Sequence, residues 1–174
     1  SLSRRLFEQM GGFDTRFTRD GSFGNEDIDF GYRLIQQGRR IVYNPKACSW
    51  QYYAVSPRQY LRQWRQAGQA DVVLARKHPD RTDTIFHRRH RRTSRYLWRP
   101  LCAIPFLGAK LGDALRWLIL KIVESGRQGP TITRLFMEVR TLEYWRGVAE
   151  AGGIPTRWPV RILAYHAIAD LADD

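Results

Sequence analysis

The sequence predicts an α/β, helix-rich chain. Three observations carry that reading. Helix-entry and helix-exit signals recur along the chain, apolar residues repeat at helical spacing between them, and two short apolar runs, Ile41 to Tyr43 and Pro159 to Ile168, read as strands. Of the 174 residues, 43% are hydrophobic and 13% aromatic, which is ample for a core and for one domain plus an extension.

The first helix is expected from Ser3 to Met10, where Gly11-Gly12 supplies a stop. The second begins in Gly24-Asn25-Glu26-Asp27-Ile28-Asp29-Phe30-Gly31-Tyr32-Arg33-Leu34, where three carboxylates crowd one loop-to-helix junction. Like charges so close raise each other's pKa and must be solvated, paired or used. With Asp27 opening the helix, its carboxylate lies by the positive end of the helix dipole and stays ionised, as a general base requires. The plainer reading is that Asp27 or Asn25 caps the helix while Glu26 and Asp29 are solvated acids of its first turn. Ser56-Pro57-Arg58-Gln59 is a capping box with proline at the first helical position, starting a helix that runs to about Lys77. Its basic face, Arg58, Arg62 and Arg65, reads as solvated, with a diphosphate or lipid headgroup as the other partner. Thr131 to Glu150 reads as an amphipathic helix, preceded by a linker at Gly126 to Pro130 and closed by Gly152-Gly153.

The series Met10-Gly11-Gly12-Phe13-Asp14, a short loop, Asn25 to Leu34, a stop at Gly38 and then Ile41-Val42-Tyr43-Asn44-Pro45 resembles the second half of the catalytic domain of family 2 glycosyltransferases. The likeness covers roughly residues 1 to 80. It implies the C-terminal half of a GT-A-type domain, here followed by an amphipathic helical extension. It further implies inverting sugar transfer from a nucleotide-sugar donor to a glycan or lipid-linked acceptor, in cell-surface polysaccharide or glycolipid synthesis. Asp27 would be the base that deprotonates the acceptor hydroxyl, a role that contributes roughly 10²–10⁴-fold. Glu26 and Asp29 would position the acceptor, and Gly11, Gly12 and Gly24 would let the backbone approach the sugar closely. Phe13, Phe17 and Phe23 could stack on sugar faces, although aromatics beside glycine turns more often seal a core.

A divalent metal, Mg or Mn, is implied by the family and by no residue present, its ligands belonging mainly to the half that would precede this one. Asp27-Ile28-Asp29 spells the family's metal-binding Asp-x-Asp, but at a helix start rather than after an apolar strand, and is not read as a metal site. Many relatives carry a His where this chain has Cys48-Ser49-Trp50-Gln51. Gln59, Arg62 and Trp64 approximate the Gln-x-x-Arg-Trp of processive members with the tryptophan one place late, which favours a non-processive enzyme. On this reading the chain is a fragment holding the acceptor side of an active site, inactive in isolation.

The net charge of +12 is densest at His87-Arg88-Arg89-His90-Arg91-Arg92 and continues through Arg95 and Arg99. It implies an anionic partner surface. Anionic lipid fits better than nucleic acid, because no nucleic-acid recognition module accompanies the run. Leu97 to Val123 is too broken by charge to span a bilayer. Leu107, Leu111, Leu115, Leu118, Ile119 and Ile122 fall on one helical face, with Lys110, Asp113 and Lys121 elsewhere. That helix either lies in a membrane interface with Trp98 and Trp117 at headgroup level, or packs on the catalytic domain. Cys48 and Cys102 form no disulfide framework or metal-binding spacing, which implies a reducing compartment. The expected location is the cytoplasm or, peripherally, the cytoplasmic face of a membrane.

Pro159-Val160-Arg161-Ile162-Leu163-Ala164-Tyr165-His166-Ala167-Ile168 resembles the opening strand of polysaccharide deacetylases, a short apolar strand ending in Tyr-His. The resemblance implies a parent that joins a transferase to a deacetylase. Asp173-Asp174 follows an Ala-rich stretch rather than a later strand, so the deacetylase chemistry is not encoded here. The organisation is therefore 1–80 transferase part, 81–126 basic and amphipathic, 127–153 linker and helix, and 154–174 terminal strand. The competing functional class is a non-catalytic basic helical module that binds an anionic membrane surface or nucleic acid.

Overall fold

In the computed structural model, which describes residues 2–18, 24–88, 92–104 and 106–154, seven α-helices form. Helix α1 (Arg4–Gln9) is capped by Ser3, whose Oγ accepts from the Leu6 N–H at 3.2 Å, and it stops at Gly11 and Gly12, both in the left-handed region. Helix α2 (Glu26–Gln36) carries the acidic junction. Helix α3 (Pro57–Lys77) begins where the capping signal predicts, with Ser56 Oγ accepting from the Gln59 N–H at 3.2 Å. Helices α4 (Thr82–Arg88), α5 (Arg92–Ala103), α6 (Leu107–Glu124) and α7 (Pro130–Glu150) complete the chain.

The structure is 69% helical, and no strand occurs among the described residues. The strand expected at Ile41 to Tyr43 is not formed: residues 39–44 are irregular and exposed, Tyr43 at 86%. A single strand cannot satisfy its own backbone groups, and no second strand lies beside it here. The strand expected within 154–174 falls almost wholly outside the described residues.

Helices α3 and α7 form the centre. A Cβ built on Gly68 would lie 2.2 Å from the Tyr144 carbonyl oxygen, and one on Gly147 would lie 1.9 Å from that of Arg65. Each glycine therefore lets the opposing backbone come closer than any side chain allows. The expectation of an amphipathic α7 is corrected by this contact, since Val139 and every residue from Thr141 to Val148 are buried. Charged members of that stretch are paired inside. Glu143, fully buried, accepts from Arg146 Nη1 at 2.7 Å, with Arg65 of α3 and Arg116 of α6 at 3.7 and 4.0 Å.

Around this contact Phe17, Val72, Leu74, Ala75, Ile85, Phe86, Tyr144, Trp145 and Val148 make the main core. Leu61, Ile119, Leu120 and Val139 join α3, α6 and α7 in a second core. The apolar segment from Leu97 to Val123 holds the end of α5 and nearly all of α6, with Phe106 at positive φ immediately before α6. Gly108 lets the start of α6 press against the Leu101 carbonyl of α5, where a Cβ would stand 2.7 Å away. No described helix is long and apolar enough to cross a membrane.

Replacing Gly147 or Gly68 by alanine should therefore cost at least about 3 kcal/mol, because backbone rather than a flexible side chain must move. Urea unfolding of each variant measures it. Gly153→Ala is the control: nothing lies near its Cβ, so the cost should be confined to about 1 kcal/mol from its positive φ.

Candidate functional site

The three acids of the junction have separate fates. Helix α2 starts at Glu26, with Asn25 rather than Asp27 in the cap position. Asn25 holds a left-handed φ of 79° immediately after Gly24 at 99°, a tight reversal that glycine and asparagine tolerate. Its side chain does not cap the helix. Instead Asn25 Nδ2, buried, donates to Asp71 Oδ1 of α3 at 2.7 Å, while Tyr144 of α7 donates its hydroxyl to Asp71 Oδ2 at 2.6 Å. The reversal is thus tied to both central helices.

Asp29 is fully buried. Its Oδ1 meets Lys77 Nζ at 2.7 Å and His78 Nε2 at 2.8 Å, and its Oδ2 accepts from Arg33 Nε at 2.9 Å. Burial alone would raise its pKa, but the hydrogen bonds from Lys77, His78 and Arg33 outweigh that and hold the carboxyl below its ordinary value. Lys77 also donates to Asp14 Oδ2 at 2.7 Å. Arg16, hydrogen-bonded to Asp14 and assisted by Lys77, keeps that acid well below the usual carboxylate range.

Arg33 extends the network to the glycine turn. Its Nη1 donates to the Met10 carbonyl and its Nη2 to the Gly12 carbonyl at 2.6 Å. Gly11 and Gly12 therefore end α1 and aim two carbonyls at one guanidinium. Phe13 meets Phe7 and Phe30 edge-on but stays half exposed, whereas Phe17 is buried in the main core. Phe23 lies outside the described residues.

Glu26 and Asp27 are left. Asp27 is exposed at the second position of α2, and its Oδ1 accepts from the Ile28 N–H at 2.7 Å. Its Oδ2 has no hydrogen-bond partner among the described residues. Glu26 is half-buried, with Oε2 enclosed and unpartnered. One turn thus presents a held carboxylate at Asp29 and, beside it, two that each keep an unpartnered oxygen. Asp27 stands at the positive end of an 11-residue helix, where an anion is favoured.

No protein-family model, curated protein or solved structure matches the chain. Among the described residues no three His, Cys, Asp or Glu side chains converge on a point that could hold a metal. The positive charges of Lys77 and Arg33 beside Asp29 disfavour a further cation there. The described residues thus form no metal site of their own, and the divalent metal implied by the family resemblance would take its ligands mainly from outside them.

Lys77, His78, Asp71 and Tyr144 belong to this site and were not singled out by sequence. Asp71 carried a signal, an acid between Ala70 and Val72 in a helix whose neighbouring apolar residues are core. His78 and Lys77 carried none, since their partner lies 49 and 48 positions away.

Because the folded pKa of Asp29 is depressed, the stability it contributes is present above about pH 4, its unfolded value, and is lost as pH falls towards the folded one. Asp29→Asn should cost about 3 kcal/mol at pH 7. The gap from the unsubstituted protein in urea unfolding should narrow as pH falls below about 4. A gap that stays constant with pH would contradict the assigned ionisation.

Proposed function

We propose that the acidic turn is the acceptor side of an inverting glycosyl-transfer site, within the C-terminal part of a GT-A-type domain. The observation that carries the reading is the division of labour in one helical turn. Asp29 and Asn25 are consumed in bonds to α3, and Asp27 keeps an exposed carboxylate at the helix start with one oxygen uncommitted. The resemblance of Gly11 to Pro45 to family 2 glycosyltransferases supplies the chemistry.

In that chemistry Asp27 accepts the proton of an acceptor hydroxyl as its oxygen forms a bond to the anomeric carbon of the donor sugar. The bond from that carbon to the diphosphate oxygen breaks on the opposite face, and the nucleoside diphosphate leaves with the electron pair. Glu26, enclosed and unpartnered, accepts a hydrogen bond from a second acceptor hydroxyl. Asp29 acts through Lys77, His78 and Arg33 to fix the turn, and Gly24 allows the reversal that presents it. On this reading Ile41 to Tyr43 takes its strand partners from the nucleotide-binding part of the domain, and the acceptor is a glycan or a lipid-linked sugar on the cytoplasmic side.

The test is Asp27→Asn in the protein expressed from its whole coding region, assayed for transfer from a panel of radiolabelled nucleotide sugars. Transfer should fall at least about 100-fold, while the thermal midpoint moves little because Asp27 is exposed. Undiminished turnover would sink the assignment.

A further inference from the structure

Helix α6 does not bury all its apolar residues. Gly108, Gly112, Ile119 and Leu120 face the bundle, and Leu115 and Val123 pack partly against it. Leu111, Trp117 and Leu118 stay outside at 37%, 63% and 49% exposure. Leu111 and Leu118, seven positions apart, lie on one face of the helix, with Ala114 between them also exposed. Ile104 and Phe106, the latter 82% exposed, stand at the connection leading into this helix.

The charges around the face are sorted. The two acids of α6 are neutralised within the chain, Asp113 by Arg146 at 2.7 Å and Glu124 by Arg58 at 3.3 Å. Lys110 and Lys121 are exposed and make no ion pair with a described residue, and Lys121 Nζ sits 5.7 Å over the Trp117 ring. A cleft beside Trp117 is lined by Lys121 and by Arg58, Arg116, Asp113 and Glu124, each of which already has an ion-pair partner. The result is an apolar row edged by free cations, with an amphipathic aromatic at the boundary.

We propose that this face of α6 docks the chain on an anionic lipid surface. Leu111 and Leu118 enter the acyl boundary, Trp117 lies at headgroup depth, and Lys110 and Lys121 meet lipid phosphates. The helix lies along the surface rather than across it, in keeping with its length and charges. The inference is independent of the glycosyl-transfer reading.

Co-sedimentation of the chain at low salt with phosphatidylcholine vesicles, with and without one-third phosphatidylglycerol by design, tests it. Binding is expected to the anionic vesicles and to weaken with salt. Trp117→Gln with Leu118→Gln should lower the partition coefficient at least about tenfold. Lys110→Gln with Lys121→Gln should lower it about fivefold per lysine. Arg39→Gln with Arg40→Gln, an equal charge change on the irregular segment, should have a much smaller effect. Circular dichroism melts confirm that each variant is folded. Absence of binding, or binding indifferent to Trp117 and Leu118, would overturn the proposal. So would a lipid-free self-association that the Trp117 and Leu118 changes abolish, because the face would then be a protein interface.

Discussion

Burying the Asp29 carboxylate would by itself cost several kcal/mol, and three cationic or proton-donating side chains, from α2, the end of α3 and the residue after it, are needed to offset that cost. The amino-terminal part of the structure depends on this arrangement. Arg33 reaches back from it to the turn after α1, and Lys77 reaches sideways to Asp14. Removing any one member leaves the others as poorly paired charges at a partly dry junction. Apolar contacts assist through Ile28 and Tyr32, which pack against the main core, but they do not set the direction of α2. The polar links do, because each has a defined length and angle.

Helix α3 serves two sides of the molecule with two different kinds of contact. Around Arg65 and Gly68 it meets α7 backbone to backbone, and its Asp71, Lys77 and neighbouring His78 form the floor of the acidic turn. Tyr144 joins the two, since its ring packs in the core while its hydroxyl holds Asp71. A displacement of α7 against α3 would therefore be felt at Asn25. This coupling gives the exposed carboxylate of Asp27 a rigid support, which its proposed role as a base would require.

Much of the helical frame was legible in local signals. The Ser56-Pro57 entry, the glycine stop after Met10 and the closure of α7 at Gly152 and Gly153 are all set by backbone chemistry within a few residues. What local signals could not show was which polar residues go inside. Glu143 and Arg146 gave α7 an apparent polar face, yet they pair with each other, and Arg65 and Asp113 join them from other helices. Gly68 and Gly147, isolated in helix interiors at a cost of about 1 kcal/mol each, were the readable hint of a close crossing. The junction acids look equivalent in sequence because what separates them, Lys77 and His78, is remote in sequence. Ile41 to Tyr43 has strand-like composition, but pairing is a property of two segments, and one segment cannot supply it.

The junction divides its acids between Asp29, which holds the fold, and Glu26 and Asp27, which keep unpartnered oxygens at the helix start. The most direct measurement is a carbon-detected NMR titration of the Asp29 side-chain carboxyl in the folded chain. The midpoint should lie clearly below the ordinary aspartate value of about 3.9, with Asp29 still ionised when the chain begins to unfold in acid. A midpoint at or above that value in a chain that remains folded would contradict it. Asp29 would then not be the buried anion on which the turn stands.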